Sequence, residues 1–175
     1  MIWLLIILFA LGVYLIFFVT QFINIIFKGY PPFISTNRNV IRGIIKELSI
    51  APSATVYELG CGRARFLRLV EKSFPATKLI GLENLFSLYL LIKISLKVRG
   101  SHIKLRPVDF FSINLAEADL IYCYLNDTLM IRLGEKFRRE CRPGTQIVSQ
   151  SFTIPQLSLE KMLEIKGKRI YFYKI

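Results

Sequence analysis

The first 27 residues, MIWLLIILFALGVYLIFFVTQFINIIF, carry no charged side chain, and Ile2 to Val19 is a continuous apolar run that includes one glycine and one tyrosine. As a helix this segment reaches about 40 Å, against a bilayer hydrocarbon core of about 30 Å. A cleavable leader would begin with basic residues and end at a small-x-small site. Here no basic residue precedes Lys28 and no such site precedes "KGYPP". The expectation is an uncleaved transmembrane anchor over residues 1–27. The rest of a 175-residue chain is enough for one core and not for two.

Charge divides the chain at the same point. All 24 Lys and Arg residues fall after position 27, against 12 Asp and Glu, and Lys28, Arg38, Arg42 and Lys46 follow the apolar run closely. Basic flanks stay cytoplasmic, so the reading is a single-pass membrane protein with its folded domain on the cytoplasmic side. A net charge of +12 favours an anionic leaflet. Nucleic acid is the competing partner for such charge, but the basic residues are scattered and match no zinc-finger, homeodomain or RNA-recognition signature, so none is expected. Three cysteines, Cys61, Cys123 and Cys141, are odd in number and lack metal-ligand spacing, which indicates neither a disulfide frame nor a zinc site. His102 has no carboxylate or cysteine pattern beside it in sequence and reads as an ordinary exposed residue.

"KGYPPFIST", residues 28–36, cannot continue a helix because Pro31 and Pro32 remove donors and force an extended path. It reads as a linker, leaving residues 37–175 as the domain. "NRNVIRGIIKEL" then sets Val40, Ile41, Ile44, Ile45 and Leu48 on one helical stripe with Asn37 or Thr36 as cap. From there strands and helices alternate. "ATVYEL", "KLIGLE", "IKLRPVDFF", "ADLIYCYL" and "TQIVSQSF" read as strands, separated by the helical stretches "RFLRLVEKSF", "LFSLYLLIKISLKVR" and "TLMIRLGEKFRREC". That rhythm predicts an α/β fold with a mainly parallel sheet covered on both faces. "KMLEIKGKRIYFYKI" breaks it, reading as a closing antiparallel hairpin around "KGK".

The turn "ELGCGRA", residues 58–64, joins the first strand to a helix, a geometry that brings backbone amides to a ligand at a helix N-terminus. A dinucleotide fingerprint would need a third glycine where Arg65 stands, and no phosphate-cradling G-x-x-x-x-G-K-[ST] occurs. Glu83 ends "KLIGLE", 23 residues beyond Gly60, close to the spacing of about 20 expected for an acid that grips a ribose.

"ELGCGRA" resembles the E/D-x-G-x-G-x-G turn of class I S-adenosylmethionine-dependent methyltransferases, with Glu58 as the acid, Gly60 and Gly62 as the first two glycines and Ala64 in place of the third. The resemblance implies a Rossmann-like methyltransferase sheet, S-adenosyl-L-methionine as cofactor, and a turn that holds its amino-acid end. It also implies a ribose contact from Glu83 and an adenine contact from Asp109 in "VDFF". "PPFIST", "ADLIYCYLND" and "EKFRRECRPGTQIVSQSF" further resemble small membrane-anchored protein-lysine methyltransferases of the ATP synthase c subunit lysine methyltransferase type, over about residues 30 to 175. That likeness implies a lysine of a membrane-associated protein as methyl acceptor, and cofactor contacts from Thr36, Cys61 and Tyr124. Departures are Arg63 where the family has an acid, "SQSF" for "SHDF" and "YLND" for "YLLP".

The end of strand four faces the cofactor in this fold, which makes Tyr122, Tyr124, Asn126 and Asp127 candidates for the substrate mouth. Asp127 is the candidate proton acceptor or ammonium partner, with Tyr124 and Asn126 beside it; helix capping is the plain alternative for Asn126 and Asp127. Alternation is expected to let only one of Tyr122 and Tyr124 face a given side. "PPFIST" has two compatible readings, a rigid linker and a lid over the methionine end. Arg63 and Arg65 crowd a helix N-terminus, where positive charge is unfavourable, so Glu58 or a cofactor carboxylate is expected to compensate them. Rival functions are methylation of a lipid or quinone, admitted past the apolar helix from Leu85 to Val98, and a non-catalytic cofactor-binding membrane protein.

Overall fold

The computed structural model describes residues 2–28 and 36–175. The lid expectation for "PPFIST" therefore falls, apart from Thr36, outside the described residues. Helix α1 runs Ile2–Lys28. Its Ile2–Thr20 stretch is long and apolar enough to cross a membrane and none of it is buried. Phe17 of this helix is partly buried and packs against the core of the domain.

Seven strands form one sheet in the order β3-β2-β1-β4-β5-β7-β6. They are β1 (Thr55–Leu59), β2 (Lys78–Leu82), β3 (Lys104–Arg106), β4 (Leu120–Cys123), β5 (Gln146–Gln150), β6 (Leu159–Ile165) and β7 (Lys168–Lys174). β3, β2, β1, β4 and β5 pair in parallel, while β7 lies antiparallel to both β5 and β6. The predicted parallel sheet with a closing hairpin is present.

The central strands are short and buried on both faces, as parallel strands under helices must be. One half of the core is closed by α2 (Arg38–Lys46), α3 (Arg65–Ser73) and α4 (Phe86–Val98), through Ile41, Ile44, Phe66, Leu67, Leu88, Ile92 and Leu96. α5 (Asp127–Glu140) and the short 3-10 turn Phe110–Ser112 close the other, through Phe110, Leu129, Leu133 and Phe137. Asn37, one of the two expected caps, receives the Asn39 amide on its Oδ1 at 2.8 Å.

One expectation about alternation is corrected. Tyr122 and Tyr124 are two residues apart and so share a side. Tyr122 belongs to the α2–α3–α4 half of the core and Tyr124 packs against that same half.

Candidate active site

Strand order reverses about β1, whose neighbours β2 and β4 run off in opposite directions. Ligands of open α/β sheets bind at such a switch point, beyond the C-terminal ends of the strands. The chain's glycine turn lies there. Gly60, Gly62 and Ala64 have φ of 65°, 48° and 50°. This left-handed backbone suits glycine and strains alanine. A Cβ on Gly60 would come 3.1 Å from Leu125 Cδ2, so the turn is closed over by the loop after β4.

Two carboxylates brace this turn from different sides. Glu83, just past β2, accepts the Gly62 amide on Oε2 and the Leu85 amide on Oε1, each at 2.9 Å. The acid at the tip of the second strand is thus tied to the turn after the first. Burial raises its pKa, opposed by the amides of Leu85, Gly62 and Asn84. Glu58 lies deeper, inside β1, where its Oε2 accepts the Leu67 amide of α3 at 3.2 Å. Burial pushes its carboxyl up to about 8, with the Leu67 and Phe66 amides pulling down and Glu83 adding repulsion. Glu58, which the family likeness places among the cofactor-binding residues, anchors the first turn of α3 by accepting one of its orphan amides.

The close helix–strand approach for which dinucleotide folds use a third glycine is supplied by Gly81 in β2. A Cβ there would meet Leu105 Cδ2 at 2.7 Å, Cys61 Sγ at 3.0 Å and Leu67 Cδ1 at 3.2 Å. Cys61 is buried, which raises its thiol pKa well above the ordinary value. Its amide donates to Leu82 O at 2.9 Å. These contacts make Cys61 the floor of the turn.

Thr36 joins the site by two bonds. Its carbonyl accepts from Arg65 Nη1 at 2.9 Å, and its Oγ1 lies 3.3 Å from Tyr122 Oη. Arg65 is thus used to hold the segment before α2 over the start of α3. Tyr122 is fully buried, stacks on Phe66 at 4.2 Å between ring centroids, and donates to Gln150 Oε1 at 2.8 Å. Gln150 and Phe66 did not stand out in the sequence as site residues. The available signal was register: Val148 pairs with Tyr122, so Gln150, two residues on, shares its face.

At the end of β4, Tyr124 is half-buried and stacks near Phe152, 6.3 Å between centroids. Asn126 is the N-cap of α5, its Oδ1 accepting the Leu129 amide at 3.0 Å. Asp127 is the first residue of that helix and is exposed. Asp109 stands beyond β3, where its Oδ1 accepts the Phe111 amide at 2.9 Å and caps the 3-10 turn. The turn, Glu83, Thr36 and Tyr122 are linked by direct contacts, whereas Asp109's bond is within its own turn. His102 is exposed, as expected, but Glu71 Oε1 lies 3.1 Å from its Nδ1.

The sequence profile of the ANTKMT methyltransferase domain matches residues 58–161, from the acid of the glycine turn into β6. The chain belongs to that family. This ANTKMT-type chain is a class I S-adenosylmethionine-dependent methyltransferase. A protein-lysine N-methyltransferase of Saccharolobus islandicus (strain REY15A) is 26% identical to it over 155 residues, 83% of this chain and 94% of the relative. Among solved structures, an RNA methyltransferase from Salinibacter ruber in complex with S-adenosyl-L-homocysteine has a TM-score of 0.76 at 21% identity, covering 81% of this chain and 94% of that one. The ribosomal protein L11 methylase of Lactobacillus delbrueckii subsp. bulgaricus has a TM-score of 0.66 at 11% identity, covering 79% of each chain. At such identities the two structures speak for the fold alone.

Proposed function

We propose that this methyltransferase is anchored in a membrane by α1, with its domain on the cytoplasmic side, and methylates a lysine of a membrane-associated protein. The observation that carries the catalytic part is the bracing of Glu83 by the Gly62 and Leu85 amides at the switch point. Each carboxylate oxygen holds one amide and keeps a further lone pair, so the pair can receive a vicinal diol. The left-handed turn at Gly60 strains any side chain and leaves little space for one beside Leu125, as suits a backbone cradle for a charged amino-acid group. The residues thus fit S-adenosylmethionine: Glu83 at the ribose, Gly60, Cys61 and Gly62 at the amino-acid end, Thr36 above it, and Asp109 through its second oxygen at the adenine side. Glu58 serves by keeping α3 and the turn in place.

Bound there, the cofactor supplies a methyl group on a positively charged sulfur, already activated for in-line displacement. The protein's task is alignment, which contributes roughly 7 to 11 kcal/mol in favourable cases. Tyr124 and Asn126 border the mouth. Asp127, exposed at the start of α5, meets the incoming ammonium and accepts the proton that lysine must lose before its nitrogen attacks. Support for a lysine acceptor comes from the Saccharolobus relative, whose alignment spans nearly its whole length. Support for the anchor comes from the unburied apolar stretch of α1 and the basic residues that follow it.

The test is transfer of radiolabel from the cofactor to membranes, with the parent and with Glu83→Ala. Label should enter a proteinase-sensitive band that yields methyl-lysine on hydrolysis, and the variant should lose cofactor affinity by at least about tenfold, the scale of a lost charge-assisted bond. Label in the organic extract would instead mark a lipid or quinone acceptor. Undiminished cofactor binding by the variant would refute the placement of the ribose.

A further inference from the structure

Helix α4 has an apolar face left exposed among the described residues. Leu88, Ile92 and Leu96 point into the core, but Phe86 is 64% exposed, Leu91 62%, Ile94 55% and Val98 82%, and Leu90 is exposed beside them. At 100° per residue, Phe86, Leu90, Ile94, Val98 and Leu91 fall within one arc of about 140°, which Lys97 and Ser87 share and Lys93 borders. A soluble domain gives such an arc to a partner.

We infer that this face of α4 rests in the interfacial layer of an anionic bilayer, as a second membrane contact beside α1. Three observations select that occupant. First, α4 contains Lys93 and Lys97 and no Asp or Glu, and the exposed Arg99, Lys104 and Arg106 follow it. Lys93 at the edge of the arc and Lys97 within it can lay their stems along the apolar surface and reach headgroups, as lysines do on a helix lying in a lipid surface. Second, Phe17 of α1 packs against the half of the core that α2, α3 and α4 close, so the apolar span meets the domain on the sheet face that carries α4. Third, the domain's surplus of basic residues suits anionic headgroups better than a second copy of an equally basic chain. The inference rests on the membrane-anchored reading above.

The placement has a consequence for the reaction. α4 begins three residues after Glu83, so Phe86 in the bilayer surface brings the mouth of the cofactor site to the headgroup layer. A lysine emerging from a membrane helix lies at that level.

The experiment uses the full chain in vesicles, with an environment-sensitive fluorophore on Ile94→Cys or on Glu135→Cys, an exposed position on α5 across the sheet. The three native cysteines are buried, which directs the label to the new thiol. In phosphatidylcholine–phosphatidylglycerol vesicles, nitroxide-bearing lipid should quench the probe at 94 by about twofold or more and leave the probe at 135 unchanged. Lys93→Glu with Lys97→Glu should abolish that quenching. A probe at 94 that remains open to aqueous iodide while the protein floats with the vesicles overturns the inference and leaves the α1 anchor standing. Shielding from iodide without lipid quenching overturns it in favour of a protein cover. A chain that does not float refutes the anchor and this inference together.

Discussion

Glu58 and Glu83 reach the glycine turn from different strands, and burial raises the pKa of both. Between the ordinary value of 4.5 and about 8, folded Glu58 keeps a proton that the unfolded chain has lost. Its contribution to stability is therefore full below about 4.5 and declines as pH rises through 8. Each unit of such a shift corresponds to about 1.4 kcal/mol, so the decline is measurable even if only part of it is realised. Glu83 acts in the same direction. The melting temperature should fall from pH 5 to pH 8, and Glu58→Gln should flatten that fall while matching the parent near pH 5. Parallel curves for the two proteins would contradict this account. A second residue-scale expectation concerns Tyr122, whose hydroxyl sits between Gln150 and Thr36. Tyr122→Phe keeps the stack on Phe66 but strands the Gln150 carbonyl, and a denaturant titration should register a loss of roughly 1 to 3 kcal/mol.

At the scale of elements, the alternation of strands and helices was readable because buried parallel strands announce themselves as short apolar runs between amphipathic helices. β3 was overread. "IKLRPVDFF" suggested a long strand, but the strand ends at Arg106, since Pro107 has no amide to donate and β3 pairs on one side only, with β2. Strand order carries no local signal; the family likeness implies a Rossmann-like methyltransferase sheet, and the order β3-β2-β1-β4-β5-β7-β6 is seen only in the structure. The Tyr122–Gln150 pair was illegible for the same reason, being set by the register of β4 on β5. The strained start of α3 was half legible: Ala64 was recognised in place of a glycine, but not that it sits fully buried at φ 50°. Relief of left-handed strain, roughly 1–2 kcal/mol, exceeds loss of a buried methyl, about 0.8 kcal/mol, by no more than about 1 kcal/mol. Ala64→Gly should therefore stay within about 1 kcal/mol of the parent in a urea melt. Ala64→Val adds bulk at a backbone angle that a branched residue does not tolerate, and should lose more than about 2 kcal/mol. Equal melts for the glycine and valine variants would show that the turn is not held as described.

For the whole molecule the question is what the apolar helix does for the enzyme. Every charged residue lies beyond position 27, and none of the apolar Ile2–Thr20 stretch is fully buried in the protein. As the proposed tether, α1 would confine the domain to the surface where a membrane-protein substrate lies and so raise the effective concentration of that substrate without altering the cofactor site. Leu8→Arg together with Leu11→Arg makes the tether costly, by roughly 2.5 to 3.5 kcal/mol per charge on an insertion scale. The parent should stay in the pellet after alkaline carbonate extraction and the double variant should pass to the supernatant. Cofactor affinity should be unchanged, because Leu8 and Leu11 are exposed and lie outside the contact that Phe17 makes with the core. Methyl transfer to membrane protein should fall by more than about tenfold, in line with the loss of an effective concentration that tethering supplies. A variant that leaves the membrane yet methylates membrane protein at the parent's rate would separate the anchor from the reaction.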